Sequence, residues 1–107
     1  MSECLLTLIT TPEFEERLVD WLLESHHEGF TTSPCRGHGI HAAQLSTAEQ
    51  VTGVQRRVAF WIQTRDEEAH AIVRRLGEAF DGVGLHYWIT PVVEAGTIGR
   101  EREAQAR

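Results

Sequence analysis

The sequence predicts an α+β domain with the element order β-α-β-β-α-β, in which two helices cover one face of a four-stranded antiparallel sheet. Four short segments have the composition of strands, and two longer segments carry an apolar stripe at helical spacing. Proline and glycine separate these segments. With 107 residues, the chain is long enough for one domain with a modest core.

The first strand and the first helix are predicted from the breaker at Thr11 and Pro12. Residues 4–10 are short and apolar, which is typical of a buried strand. Thr11 before Pro12 predicts a helix N-cap with proline at the first helical position, and the helix is expected to end near His27. One face of this helix is predicted to pack at Phe14, Leu18, Trp21, Leu22 and Ser25.

The second half of the chain predicts a strand, a helix and a strand. Residues 56–64 alternate, with Val58, Phe60 and Ile62 on one face. The run Thr-Arg-Asp-Glu at residues 64–67 matches a capping box, which predicts a helix that stops at Gly82. Residues 85–93 favour a strand that ends near Pro91. The domain is predicted to span residues 1–96, followed by a polar tail at residues 97–107.

The segment between these halves is less regular. Residues 30–36 favour a strand, in which Pro34 indicates an edge position or a bulge because proline lacks a ladder donor. Residues 37–55 have mixed polarity and are predicted to form a long exposed loop, and loops of this length in compact domains are usually functional.

The element order is that of ferredoxin-like domains, whose second sheet face is bare. That face is predicted to carry some of four bulky apolar side chains, namely Leu5, Ile9, Trp61 and Trp88. Apolar residues on an uncovered sheet more often form an oligomer interface than a solvated surface, so we expect a homo-oligomer.

The composition argues against several classes of function. A net charge of −6 disfavours nucleic acid as a partner, because phosphate-backbone binding needs a concentrated basic surface. All ten basic residues are arginine. Two of them, Arg56 and Arg57, follow the predicted loop and can bind a phosphate or a carboxylate; the alternative is a solvated or subunit-bridging pair.

The chain shows no export signal and no apolar run near the roughly 20 residues that a membrane span requires. We therefore expect a cytoplasmic protein that is not embedded in a membrane, with Cys4 and Cys35 reduced. The sequence contains no P-loop, no G-x-S-x-G and no H-E-x-x-H motif, and no cysteine lies between an obvious base and orienting group. We do not expect an enzyme.

Cys35, His38 and His41 form a candidate metal-binding set at the base of the predicted loop. Thiolate and imidazole together suit Zn, Cu or Ni, and the glycines between them would let the three side chains converge. The alternative is that the two histidines are solvated loop residues, because His-x-x-His outside a helix is a weak signal.

Two runs resemble the PII signalling superfamily, namely Gly-Phe-Thr-Thr-Ser-Pro-Cys-Arg-Gly-His-Gly at residues 29–39 and the glycine-rich turn and strand at residues 82–94. The resemblance spans nearly the whole chain. It implies a homotrimer, a long T-loop that contacts transporters or enzymes, and inter-subunit clefts for adenine nucleotides. It also implies ligand-binding roles at Gly37, Gly39, Gly84, His86 and Arg100.

The chain departs from PII proteins where they hold nucleotide phosphate. The Gly-Asp-Gly-Lys turn of that superfamily falls on residues 83–86, so His86 replaces the lysine. The arginines expected on either side of Ile98 are Thr97 and Gly99, and Arg100 is displaced by one position. These differences argue against tight binding of ATP by the usual route.

A closer resemblance is to a small proteobacterial PII-like group of unknown function, often encoded beside heavy-metal efflux pumps. Similar runs lie at residues 18–23, 48–57 and 85–91. The resemblance implies a trimeric sensor that binds a small effector, a nucleotide or a metal, and modulates a membrane transporter through residues 37–55. The alternative is a dedicated metal-binding protein that uses the Cys35, His38 and His41 set.

Overall fold

A computed structural model describes residues 2–25, 29–38 and 53–99 of the chain. Its elements confirm the predicted order. They are β1 (Glu3–Thr10), a 3-10 turn (Pro12–Phe14), α1 (Glu15–Ser25), β2 (Thr31–Gly37), β3 (Gln55–Arg65), α2 (Asp66–Ala79) and β4 (His86–Pro91). Most of the predicted loop and most of the predicted tail lie outside the described residues. No helix in the described ranges is long and apolar enough to cross a membrane.

The four strands form one sheet in the order β2-β3-β1-β4, and every neighbouring pair is antiparallel. This is the predicted ferredoxin-like arrangement. β2 lies at an edge, as Pro34 indicated, and its pairing with β3 runs without a bulge from Thr31 opposite Trp61 to Gly37 opposite Gln55. Proline is found on edge strands because such a strand is paired on one side only, so half of its N–H groups need no partner in the sheet.

The hydrophobic core lies between one sheet face and the two helices. Strand alternation turns every second residue of β1 and β3 inward, and the inward side chains of Leu6, Leu8, Phe60 and Ile62 are at most 1% exposed. Phe30 stacks on Phe60 with 6.0 Å between the ring centroids. The helices close the core with side chains at i, i+3 and i+4 spacing, namely Leu18, Leu22, Ala69, Ile72 and Leu76.

Both helix N-termini differ from the contacts that the sequence predicted. Thr11 precedes the 3-10 turn, but its hydroxyl donates to the Glu13 carboxylate (3.3 Å) and caps no backbone N–H. The predicted capping box is wrong. Thr64 is buried within β3, and β3 remains paired with β1 up to Arg65, so Thr64 belongs to the strand and does not cap the helix. α2 begins at Asp66, whose carboxylate accepts the backbone N–H of Glu67 at 2.8 Å.

The sheet face opposite the helices carries the predicted apolar residues. Thr7 pairs with Trp61 on one side and Trp88 on the other, so the two indoles flank it, and Thr7 is only 2% exposed. Leu5 and Ile9 lie two residues away along β1 and therefore share this face. Trp88 remains 46% exposed. We call Leu5, Ile9, Trp61 and Trp88 the open-face patch.

Candidate functional site

A cavity lies at the end of the open sheet face from which the predicted loop leaves. Its volume is about 360 Å³. In the strand register Cys35 lies opposite Arg57, and Ile9 lies opposite His86, so residues distant in the sequence meet at this end of the sheet. We call it the loop-base cavity; it is lined by Ile9, Cys35, Arg36, Gly37, His38, Arg57 and His86.

The loop-base cavity brings together residues from two separate sequence predictions. Cys35 and His38 belong to the candidate metal set, whereas Gly37 and His86 belong to the ligand-binding set implied by the PII resemblance. Gly84 is part of the described chain but lines a different cavity, on the helix side of the sheet. The remaining predicted site residues, Gly39, His41 and Arg100, lie outside the described residues.

Three arginines lie at the end of β2 and the start of β3, in a chain whose net charge is −6. Arg36 and Arg57 line the loop-base cavity, and Arg56 lies opposite Arg36 in the strand register. The Nε–H of Arg57 donates to Oε1 of the buried Gln55 at 2.7 Å, which fixes the direction of the guanidinium group. An adjoining cavity of about 420 Å³ is lined by Pro12, Glu15, Pro34, Cys35, Arg36, Arg56, Arg57 and Val58.

Sequence reasoning gave no role to Arg36 and assigned Ile9 only to the open face. Both line the loop-base cavity. The position of Arg36 near this end of the sheet could have been predicted from the sequence. Arg36 comes just before the predicted loop, and Arg56 and Arg57 come just after it. Hairpin-like pairing of the flanking strands brings such positions side by side, as the register of β2 and β3 does here.

The loop-base cavity is continuous with the open-face patch. Ile9 belongs to both, and the ring of His86 meets the ring of Trp88 edge-to-face with 6.5 Å between centroids. A second chain seated on the open-face patch would therefore border the loop-base cavity.

Across residues 2–25, 29–38 and 53–99, no three His, Cys, Asp or Glu side chains are grouped so that they could hold a metal ion. Cys35 and His38 share the cavity with His86, but these three do not form such a group. Because His41 lies outside the described residues, the metal set of Cys35, His38 and His41 stays a prediction.

The two cysteines differ in their access to solvent. Cys4 is buried in the core at 3% exposure, and burial, followed by the nearby carboxylates of Asp66 and Glu3, raises the pKa of its thiol. Cys35 is half-buried on the wall of the loop-base cavity. The thiolate is the reactive form of cysteine, so Cys4 is protected both by burial and by protonation.

We therefore expect a thiol reagent such as dithionitrobenzoate to modify one cysteine in the native protein, and that cysteine to be Cys35. Mass spectrometry of the labelled protein checks this. The Cys35→Ser variant should stay unlabelled until it is denatured, whereas Cys4→Ala should label as the native chain does. Rapid labelling of both thiols under native conditions would contradict the burial of Cys4.

The four-stranded antiparallel sheet with two helices on one face defines the class of the protein as an α+β, ferredoxin-like domain. The chain belongs to the family described as "Protein of unknown function (DUF3240)", which matches residues 1–99. A crystal structure of a DUF3240 family protein from Shewanella baltica has a TM-score of 0.73 and 23% identity, covering 92% of this chain and 99% of that one.

Two further solved structures share the fold. A protein from Thermus thermophilus assigned as PII-like and signalling has a TM-score of 0.61 and 22% identity, covering 86% of this chain and 91% of that one. The other is CPII from Thiomonas intermedia, a nitrogen regulatory PII-like protein bound to ADP, AMP and bicarbonate. It has a TM-score of 0.67 and 14% identity, covering 92% of this chain and 98% of that one. No curated protein is significantly similar to the chain in sequence.

Proposed function

We propose that this protein is a PII-like regulatory protein that binds a small anionic effector in the loop-base cavity. The observation that supports this most is the placement of Arg36, Arg57, His38 and His86 around one cavity. Guanidinium groups match phosphate and carboxylate oxygens in bidentate geometry. The volume of about 360 Å³ falls within the roughly 300–1,000 Å³ of small-molecule sites.

An adenine nucleotide is the effector class that we favour. The fold is shared with CPII, whose structure is bound to ADP, AMP and bicarbonate. This chain contains no lysine, so its phosphate contacts would come from Arg36, Arg57 and His86. Because one fixed cation of the PII site is missing, a mono- or diphosphate is a better match than a triphosphate.

The proposed mechanism of regulation links the effector to the predicted loop. β2 ends at Gly37 and β3 begins at Gln55, and Gly37 and His38 line the loop-base cavity. An effector that contacts these residues in only one loop arrangement would favour that arrangement by its difference in affinity. The loop at residues 37–55 would then act on a partner, for which we propose a membrane transporter such as a heavy-metal efflux system.

The proposal also includes a homotrimer assembled through the open-face patch. Trp61 and Trp88 give that face a large apolar area, and Trp88 is 46% exposed in the single chain. A neighbouring subunit would bury this area and, because Ile9 belongs to both surfaces, would also bound the loop-base cavity.

Transition-metal binding is a second candidate function, favoured by the presence of Cys35 and His38 among the residues that line the loop-base cavity. Thiolate and imidazole are ligands for Zn, Cu and Ni. His41 from the predicted loop would add a third donor to the first two. A metal could also be the effector of the regulatory protein.

Isothermal titration of the metal-stripped protein tests the effector site. We expect AMP or ADP to bind the native chain, and Arg36→Ala/Arg57→Ala to bind at least about tenfold more weakly, because each charge-assisted hydrogen bond is worth roughly 1.5–3 kcal/mol. Arg74→Ala/Arg75→Ala removes an equal charge from α2, outside the loop-base cavity, and should change the affinity little. Cys35→Ser/His38→Ala should abolish any binding of Zn²⁺.

The outcomes separate the two candidate functions. Nucleotide binding that survives the double arginine substitution would place the effector outside the loop-base cavity. Binding of Zn²⁺ or Cu⁺ without nucleotide binding would favour the metal-binding protein. If neither class of ligand binds, both candidate functions are wrong.

A further inference from the structure

A second cavity lies on the other face of the sheet, between α2 and β4, with a volume of about 270 Å³. Its floor is formed where β1 meets β4, because Leu8 and Tyr87 are paired in the register and both line the cavity. It shares no residue with the loop-base cavity. We call it the α2–β4 cavity; its apolar lining consists of Leu8, Val73, Leu76, Phe80, Leu85 and Tyr87.

Gly77 opens this cavity on the helix side. It lies inside α2, where glycine is less favourable than alanine, and its helical backbone needs no positive φ. A Cβ atom added at Gly77 would meet no atom within 4 Å, so packing within the chain does not require a glycine. The missing side chain leaves space that none of the described residues fills.

Tyr87 forms the opposite wall. Its pairing with Leu8, which is 1% exposed, places it on the helix side of the sheet, yet Tyr87 is 51% exposed. Half-buried Val73 and Leu85 continue this apolar surface. A ligand with an apolar body would therefore cover a ring that the helices of this chain leave open.

The polar end of the cavity favours a cation. Asp81 lines it and follows α2, which ends at Ala79. The carbonyl groups at a helix C-terminus carry partial negative charge, and the Asp81 carboxylate adds to it. The guanidinium group of Arg17 lies 5.0 Å from the ring centroid of Phe80, so the preference for an ammonium group over a carboxylate group depends on contact with Asp81.

We propose that the α2–β4 cavity binds a small aromatic amine, with its ring among the apolar side chains and its ammonium group beside Asp81. Size supports this class of ligand. An apolar cavity of roughly 150 Å³ accommodates benzene, so about 270 Å³ accommodates one ring with a short alkyl chain. This site is separate from the proposed effector site, and either can be wrong without the other.

Titration of the ¹⁵N-labelled full chain with phenethylamine, followed by NMR, tests the proposal. The amides of Gly77, Gly82 and Gly84 border the cavity and should show saturable shifts. Gly77→Leu fills the cavity and should weaken binding more than about tenfold, as expected for loss of a ring-sized apolar contact. Ala79→Leu adds the same side chain to α2 at an exposed position outside the cavity and should leave the affinity within about twofold.

Charge is tested separately. Asp81→Asn should weaken phenethylamine binding about threefold, the scale of a solvent-exposed ion pair, and phenylacetate, which has a ring and the opposite charge, should bind more weakly than the amine. If circular dichroism shows that Gly77→Leu does not fold, the Asp81→Asn titration and the comparison of phenethylamine with phenylacetate test the proposal without it. Equal binding of amine and acid, unchanged affinity in Gly77→Leu, or no saturable shift would overturn the proposal.

Discussion

Replacing Phe60 by alanine is expected to lower the free energy of unfolding by about 3–5 kcal/mol, a large fraction of the roughly 5–15 kcal/mol that stabilises a typical domain. Phe60 is 0% exposed in the middle of β3, where it pairs with Leu8 on one side and Thr32 on the other. Its ring also stacks on Phe30. Because paired strands and two helices hold the surrounding backbone, the neighbours cannot collapse into the space left by the ring.

Guanidinium denaturation followed by circular dichroism measures this loss, at one fixed protein concentration because subunit association would add to stability. Phe60→Leu, which keeps most of the buried volume, should lose clearly less. Leu23→Ala removes a side chain that is 59% exposed on α1 and should change the free energy of unfolding by less than about 0.5 kcal/mol. Similar losses in Phe60→Ala and Leu23→Ala would show that Phe60 is not a central core residue.

Local composition, proline and glycine breakers, and periodicity were sufficient to predict the order of the elements, and periodicity predicted buried faces. In β3, Val58, Phe60 and Ile62 are predicted on one face, and all three are buried. The same alternation predicted which side chains share the open face. Such patterns succeed because a strand or helix in a small domain has one side in the core and one side outside it.

Features that depend on pairing between distant segments could not be predicted in this way. The start of α2 is one example, since Thr64 is held in β3 by its pairing with Cys4. The loop-base cavity is another, because Cys35 and His86 share it only through the strand order β2-β3-β1-β4. The PII resemblance implied a role for His86, but the place of Arg36 opposite Arg56 follows from the register.

The α2–β4 cavity had no sequence signal. A glycine within an amphipathic helix pattern is read only as a weak helix former, and its neighbours Val73, Leu76 and Phe80 fit an ordinary packed stripe. The space becomes visible only when the position of α2 over β4 is known. The exposure of Tyr87, which faces the helix layer, has the same origin.

A substitution in the open-face patch is expected to change the number of chains in the assembly more than a substitution elsewhere. Thr7 is 2% exposed and is paired with Trp61 on one side and Trp88 on the other, so two large aromatic side chains lie close together on this part of the sheet. In a closed symmetric oligomer the same surface occurs in every subunit, and one substitution therefore acts at each interface. A charged side chain placed there would be buried without a partner at every one of them.

Trp88→Glu is accordingly expected to convert the proposed homotrimer into a single chain, so that light scattering reports a fall from about three times 12.1 kDa to 12.1 kDa. The fold should persist, as judged by circular dichroism, because Trp88 lies on an edge strand and is 46% exposed. Leu23→Glu introduces the same charge at an exposed position of α1 and should leave the assembly intact. A native protein that is already monomeric, or a Trp88→Glu trimer, would mean that the open-face patch is not the surface through which the chains associate.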